Sequence, residues 1–479
     1  MKIKYSVLVF GLFTISLHLL SLNFFPINYE YTFSEGSKYF NSFESKYSEF
    51  YFKNQANTLF YSLIINFIDR ITLGTLESLV ISRLVSFSSY IFLIYGLFYH
   101  LKFFKIHKSL QSLVIIFFLF NPIVWTLSFR STPDLISSAL GFYASGLLLY
   151  KFKNIRFRRG SYLMLGASIA LKPFAFIYLL YLICFVDFKK IPKFDRKYFI
   201  DLIFLLIIPF IYYFSVKFFF GFYLLSEHFA SDHELKKNIK IIIQNFIGYF
   251  CFLSIFIFPL TFSIKRRIGI KIIILYLLTV VIGVYYLNFL NLGELNFGFF
   301  GLYFHESIFL VISFSSFFIF LLKIYEILEY KKNKFLFNKI IISLLLFIFI
   351  LSLSKPVQRY LIFILPIIFI LFVNFIDQKK IKYLIVIGIL LYFPINILSF
   401  INSYYNSKFY NNMFLILKQN EIEKITDFKT LDHAFGFLYL DNQLSKKYYI
   451  TREAEDYFLK FQNTFFGFKT KYYLINKKN

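Results

Sequence analysis

Apolar runs of about 20 residues, the length that carries an α-helix across a bilayer, recur along most of this 479-residue chain. The first covers roughly residues 5–25. Others begin near Leu76, Ser109, Pro133, Tyr198, Ile239, Ile272, Ser307, Phe337, Val357 and Ile381. The runs are continuous where a β-barrel would alternate, and they lack the polar face of a soluble helix. The pattern predicts an all-α polytopic membrane protein. The stretch from Pro26 to Thr75 is too mixed for one span; its segments 36–52 and 58–71 are amphipathic and are expected to lie in the membrane interface.

Segment 161–186 departs from the rule. It is long enough to cross once, yet Lys172-Pro173 sits at its middle. The charges of the linkers decide how it runs. Six of them are basic: 101–108, 151–159, 187–197, 265–271, 330–339 and 377–382. All six are expected on the cytoplasmic side. Linkers 151–159 and 187–197 share a side only if the chain between them goes in and comes back. Proline removes a backbone donor and restrains its neighbour, so two short helices are expected to meet at Lys172-Pro173. With this re-entrant-like pair counted as two, about 13 membrane helices follow, with the N-terminus inside and the C-terminus outside.

Composition narrows the picture further. Only 16% of residues are charged, against 58% hydrophobic. The formal net charge of +26 sits in the short linkers, so it reads as membrane orientation; no nucleic-acid partner is expected. Cys184 and Cys251 fall inside spans, which supports neither a disulfide framework nor a zinc site. The first run lacks a small-residue cleavage site and reads as a retained first span. Residues 404–479 carry charged and polar residues at ordinary soluble density and end in the strand-like segment 471–476. They read as a small α/β appendage outside the membrane, set apart from a membrane domain of residues 1–403.

Ionisable residues at membrane depth are costly and commonly functional. Several fall at one predicted water boundary: Glu30 and Glu35 after the first span, Arg130 and Asp134 in SFRSTPDLISSAL, Lys172 in LGASIALKPFAFIYLL, and Arg359 with Tyr360 in SKPVQRYLIFILP. A carboxylate at the surface suits a general base. Lysine and arginine suit phosphate, arginine by its planar fork, and Arg83 in ISRLVSF lies near the same boundary. The plainer readings are solvated acids, a snorkelling lysine and interfacial anchors. For Asp134 the plainer reading is an acid that complements its helix dipole and pairs with Arg130, with Ser131 or Thr132 capping the helix. His18 reads as a packing histidine. His228, Asp232, His233 and Glu234 share one outer loop in a spacing that loosely suggests metal ligands, but no Cys or helix-locked pair supports it; Glu294, His305 and Glu306 share another. No phosphate loop, nucleotide fingerprint or Ser-His-Asp signature occurs.

The order of these motifs resembles the C-type superfamily (GT-C fold) of membrane glycosyltransferases, which use polyprenyl-phosphate-linked sugars. The likeness runs over residues 1–400 and is nearest to the aminoarabinose transferase and protein O-mannosyltransferase branch. FSEGSKYF resembles the acidic motif of the family's first outer loop, with Glu35 in the catalytic position and Glu30 in reserve; the family's second neighbouring acid is absent here. NTLFYSLIINFIDRI resembles the interfacial helix. The resemblance implies donor-phosphate binding by Lys172, Arg359, Tyr360, Arg130 and Arg83, with Asp134 in support. It implies inverting transfer of a sugar from a polyprenyl-phosphate donor to a lipid, glycan or protein acceptor. The enzyme would be a multi-pass protein of a bacterial plasma membrane, with its active site on the extracytoplasmic face. No cofactor is required by this reading, and a divalent metal is left open. A lipid-linked sugar flippase or transporter, or a polysaccharide polymerase or ligase, would share the helices and the cations.

Overall fold

The computed structural model describes residues 2–24, 59–186, 196–220, 238–261, 269–287, 306–329, 334–353, 357–376, 378–419, 448–451, 459–465 and 468–476. Helices α1 (Lys2–Ser21), α2 (Leu59–Ile71), α3 (Ser78–Phe103) and α4 (Lys108–Leu119) come first. Then follow α5 (Pro122–Ser128), α6 (Pro133–Lys151), α7 (Ile155–Leu171) and α8 (Phe176–Ile183). The second half holds α9 (Arg196–Phe220), α10 (Ile239–Thr261), α11 (Ile270–Leu287), α12 (Glu306–Glu329), α13 (Lys334–Ser352), α14 (Leu365–Phe375) and α15 (Gln378–Gln419). The predicted span starts fall within about three residues of these helix starts, because each apolar run opens directly beside a polar linker; the exception is the one near Val357, where a 3-10 turn, Gln358–Phe363, precedes α14.

Among the described residues, α3, α10, Val311–Glu329 of α12 and Lys382–Phe409 of α15 are each long and apolar enough to cross a membrane. The span expected from Ser109 is bent: Leu110–Leu119 and Pro122–Ser128 meet at 62°. The cause is local. Pro122 opens α5 without an amide to offer, and Asn121 caps that helix, its Oδ1 accepting from the Ile123 amide at 3.3 Å. Shorter apolar helices accompany these, including Phe199–Ser215 and Leu336–Ser352. The outer faces are aliphatic and aromatic. Ile273, Ile274, Leu277, Leu278 and Val281 of α11 are exposed, as are Phe210, Phe214 and Phe218 of α9. A soluble chain does not show such a belt; a lipid-facing one does.

The bundle has two distinguishable ends. At one, Lys102 lies over Tyr150 at 5.6 Å, and Tyr99 packs on Tyr150 at 5.7 Å, so the C-terminal ends of α3 and α6 meet. Phe185, just past α8, packs against Phe103 at 5.5 Å and so belongs to this basic end too. Segment 155–185 therefore begins and finishes at the same end. Its break falls at Lys172, whose extended backbone (φ −154°, ψ 119°) stops α7 before the 3-10 turn Pro173–Ala175. The in-and-out pair read from the linker charges is thus the observed path.

Of the interfacial helices expected in the first outer loop, α2 lies within the described residues and segment 36–52 outside them. Tyr61 and Ile65 of α2 are fully buried against Ile81, Ile136 and Leu171, while Leu63, Phe67 and Ile71 face outward. The tail contributes an antiparallel three-stranded sheet in the order β1-β3-β2, with β1 Tyr448–Thr451, β2 Leu459–Phe465 and β3 Phe468–Asn476. Helix α15 runs unbroken through residues 403 and 404 to Gln419.

Candidate functional site

At the end opposite the basic one, three remote stretches converge. The first is the N-terminus of α6. Thr132 takes the N-cap position in extended conformation and Pro133 the first helical one, which puts Asp134 in the first turn. The second is the α7 break at Lys172. The third is a 3-10 turn, Gln358–Phe363, that precedes α14 and carries Arg359 and Tyr360.

Asp134 is fully buried, and its Oδ2 lies 3.4 Å from Nε of Arg359. The arginine side chain keeps 26% of its surface exposed, so the pair has a dry partner and a wet one. Tyr360 is 2% exposed, and both cations lie near its ring. Nζ of Lys172 is 5.4 Å from its ring centroid and Cζ of Arg359 5.6 Å. Both distances allow attraction to the ring's electron-rich face. Lys172 is itself 4% exposed. Among the described residues of this group, one carboxylate is set against two cations. An anion arriving there would meet a lysine point charge and a guanidinium.

Hydroxyl groups hold the three stretches in register. Ser168 Oγ donates to the Ser137 carbonyl at 2.7 Å, and Ser137 Oγ donates to the Ser168 carbonyl at 2.8 Å. This reciprocal pair pins α6 to α7. The Lys172 amide donates to the same Ser168 carbonyl at 3.0 Å, which ties the lysine's backbone to the clamp. One residue along α6, Ser138 Oγ donates to the Ile362 carbonyl at 2.8 Å and receives the Tyr178 hydroxyl at 2.6 Å. That carbonyl belongs to the 3-10 turn. Tyr249 accepts the Val357 amide at 2.8 Å, and Asn245 donates to the Ser352 carbonyl at 3.2 Å, which secures the entry to the turn. Gly141 makes the close approach possible: a Cβ there would run into the Tyr178 ring and the Ser168 hydroxyl.

The remaining expected residues distribute as follows. Glu30 and Glu35 lie outside the described residues, as do His228, Asp232, His233, Glu294 and His305. Arg130 is half-buried at the approach to α6, its carbonyl accepting from the Thr132 amide at 3.0 Å. Arg83 sits at the same end and is buried. Its Nη1 donates to the carbonyls of Ser21, Leu22 and Phe24 at 2.8, 3.1 and 2.7 Å, closing the C-terminus of α1. Two local expectations are corrected. The ion pair of Asp134 is with Arg359 and not with Arg130, and Thr132 makes no side-chain cap bond. Arg130 is the neighbour in sequence, but the partner that reaches Asp134 comes from the late 3-10 turn.

His18 is a packing residue, as expected. Its Nδ1 donates to the Thr14 carbonyl at 2.7 Å, its Nε2 is 2.7 Å from Ser128 Oγ, and its ring stacks on Phe129 at 3.8 Å. Cys184 and Cys251 are buried free thiols. Among the described residues no group of three or more His, Cys, Asp or Glu side chains could hold a metal ion. The serines and tyrosines of the clamp escaped the sequence reading; their only signal was a small-residue run at LISSALG facing another at LGASIAL.

No protein-family model and no curated protein matches the chain. Among solved structures it is similar to the crystal structure of ArnT from Cupriavidus metallidurans in the apo state. That likeness has 12% sequence identity, covers 93% of this chain and 86% of that one, and has a TM-score of 0.44.

Proposed function

We propose that this chain is a membrane glycosyltransferase that moves a sugar from a polyprenyl-phosphate carrier to an acceptor hydroxyl. The reading rests on one observation: Lys172 and Arg359, from remote parts of the chain, both lie at the ring of Tyr360, with buried Asp134 beside Arg359. A phosphate on a lipid chain needs cations at a water boundary and apolar helices next to them, and both surround this cluster.

In this mechanism Lys172 and Arg359 hold the carrier phosphate, and Asp134 orients the guanidinium. The Tyr360 ring offers both cations an aromatic face. Arg130, at the approach to α6, and Arg83, at the end of α1, add to the positive field. The acceptor oxygen attacks the anomeric carbon while the bond from that carbon to the phosphate oxygen breaks. The bonding electrons leave with the phosphate, whose growing charge the cations stabilise. The acceptor proton goes to Glu35, or to Glu30 in its place. A single displacement of this kind inverts the anomeric carbon. Residues 1–403 form the catalytic membrane part and 404–479 an appendage on the same, extracytoplasmic, side. The side follows from the basic linkers at the other end, in a bacterial plasma membrane.

The test is transfer of radiolabelled sugar from a synthetic polyprenyl-phosphate donor by the purified chain in vesicles. Transfer to an added acceptor that falls by about 10²–10⁴ in Glu35→Gln or Glu30→Gln supports the reading. Movement of intact donor across the bilayer without transfer would replace it with the flippase reading.

A further inference from the structure

We propose that the basic end of α3, α6 and α7 is a binding site for one anionic phospholipid, distinct from the Lys172–Arg359 cluster at the opposite end. Linkers 101–108 and 151–159 hold eight lysines and arginines and no aspartate or glutamate. Asp201 of α9 reaches this region from outside, but it is already engaged. Its carboxylate lies 2.7 Å from Arg158 Nε and 3.9 Å from Arg159 Nε. Lys102, Lys151, Lys153 and Arg156 have no carboxylate partner among the described residues.

Two of these cations are turned back onto aromatic faces. Lys102 Nζ sits 4.0 Å from the Phe98 ring centroid, and Lys151 Nζ sits 4.5 Å from that of Phe157. Both lysines are half-buried and keep part of their surface open, so these contacts are modest and yield to a phosphate. Leading away from them along the bundle is a ladder of rings: Tyr150 to Tyr99 at 5.7 Å, Tyr99 to Tyr143 at 5.9 Å, and Tyr143 to Phe92 at 5.8 Å. Ile91, Tyr95 and Tyr150 on this face are exposed. From Ile91 to Lys102 the helix rises about 16 Å, close to half of the ~30 Å hydrocarbon core. The surface thus has the length of one leaflet's acyl chain, is apolar along its run, and ends in unpaired cations. No bonded partner for the hydroxyls of Tyr95, Tyr99, Tyr143 and Tyr150 occurs among the described residues, so the two near the basic end, Tyr99 and Tyr150, can donate to the glycerol esters or the phosphate. Basic pockets between helices at this side of a membrane recognise anionic headgroups, at about 1 kcal/mol per cation.

The test is native mass spectrometry of the full chain in detergent, titrated with phosphatidylglycerol or with phosphatidylcholine of the same acyl chains. Phosphatidylglycerol is expected to bind saturably and phosphatidylcholine to be lost. Lys102→Gln with Lys151→Gln should weaken phosphatidylglycerol about thirtyfold, and the exposed Arg156→Gln alone about fivefold. Lys271→Gln, in another basic linker, should change nothing. If the double variant does not fold, Arg156→Gln carries the test. Equal retention of the two lipids, or a Lys271→Gln effect as large as that of Arg156→Gln, would overturn the site and leave the linker charges with orientation as their only role.

Discussion

Asp134 and Arg359 form an ion pair of unequal partners: the carboxylate is sealed from solvent, while a quarter of the arginine side chain is open to it. The two ends of the pair should therefore answer differently to removal. Arg359→Met strands a buried carboxylate, a change that costs about 3–5 kcal/mol. Asp134→Asn leaves a guanidinium that water can still reach, at a smaller cost of about 1–2 kcal/mol. Melting of both variants in one detergent checks the order. Arg359→Met should melt lower, and adding Asp134→Asn to it should restore part of the loss. Equal melting temperatures would mean that the pair is solvated on both sides.

The role given to Tyr360 separates its ring from its hydroxyl. Tyr360→Phe keeps a face for Lys172 and Arg359 and should bind polyprenyl phosphate nearly as the parent does. Tyr360→Leu removes two cation–ring contacts and should weaken binding roughly 5- to 30-fold. Binding of the phosphate lipid, read by native mass spectrometry, tells them apart. A Phe variant as weak as the Leu variant would move the contribution to the hydroxyl.

Gly141 should tolerate no side chain. Gly141→Ala drives a methyl group into Tyr178 and Ser168 and should cost about 1–3 kcal/mol. Gly160, in the same helical hairpin, has nothing within 4 Å of an added Cβ. Gly160→Ala should be neutral or stabilise by up to about 1 kcal/mol. Thermal melting of the two variants side by side tests whether α6 and α7 are held as closely as the serine pair indicates.

The Ser137–Ser168 pair should behave as a unit. Each hydroxyl serves the other's carbonyl, so either single alanine leaves one bond intact and should cost about 0.6 kcal/mol, the usual worth of a polar bond between membrane helices. The double alanine should lower phosphate-lipid affinity as well as stability, because the Lys172 amide shares the Ser168 carbonyl. A double variant that melts lower yet binds the lipid with parental affinity would remove the clamp from any part in placing Lys172.

The hairpin at Lys172-Pro173 was legible because two independent signals coincide there, a missing amide and the shared sign of linkers 151–159 and 187–197. The 62° bend at Asn121-Pro122 carries the same missing amide at a proline, but of the linkers flanking that run only 101–108 is basic, and the run passes as one span. The partner of Asp134 was illegible for a different reason. Arg130 is four residues away in sequence, whereas Arg359 is brought in by the packing of a 3-10 turn, and linear order holds no record of that contact. The hydroxyl clamp was hidden likewise, since serine and glycine in a helix look like generic small-residue packing until their facing carbonyls are placed.

The central claim is that the Lys172–Arg359 cluster receives a lipid-borne phosphate, and photocrosslinking tests it most directly. The reconstituted chain is irradiated with a polyprenyl phosphate bearing a diazirine near the phosphate, and the adducts are mapped by peptide. Labelling should concentrate on residues 168–178 and 357–363, compete away with unlabelled lipid, and vanish in Lys172→Met with Arg359→Met. Adducts spread along the lipid-facing α11, or an unchanged pattern when the phosphate is replaced by a free alcohol, would contradict it.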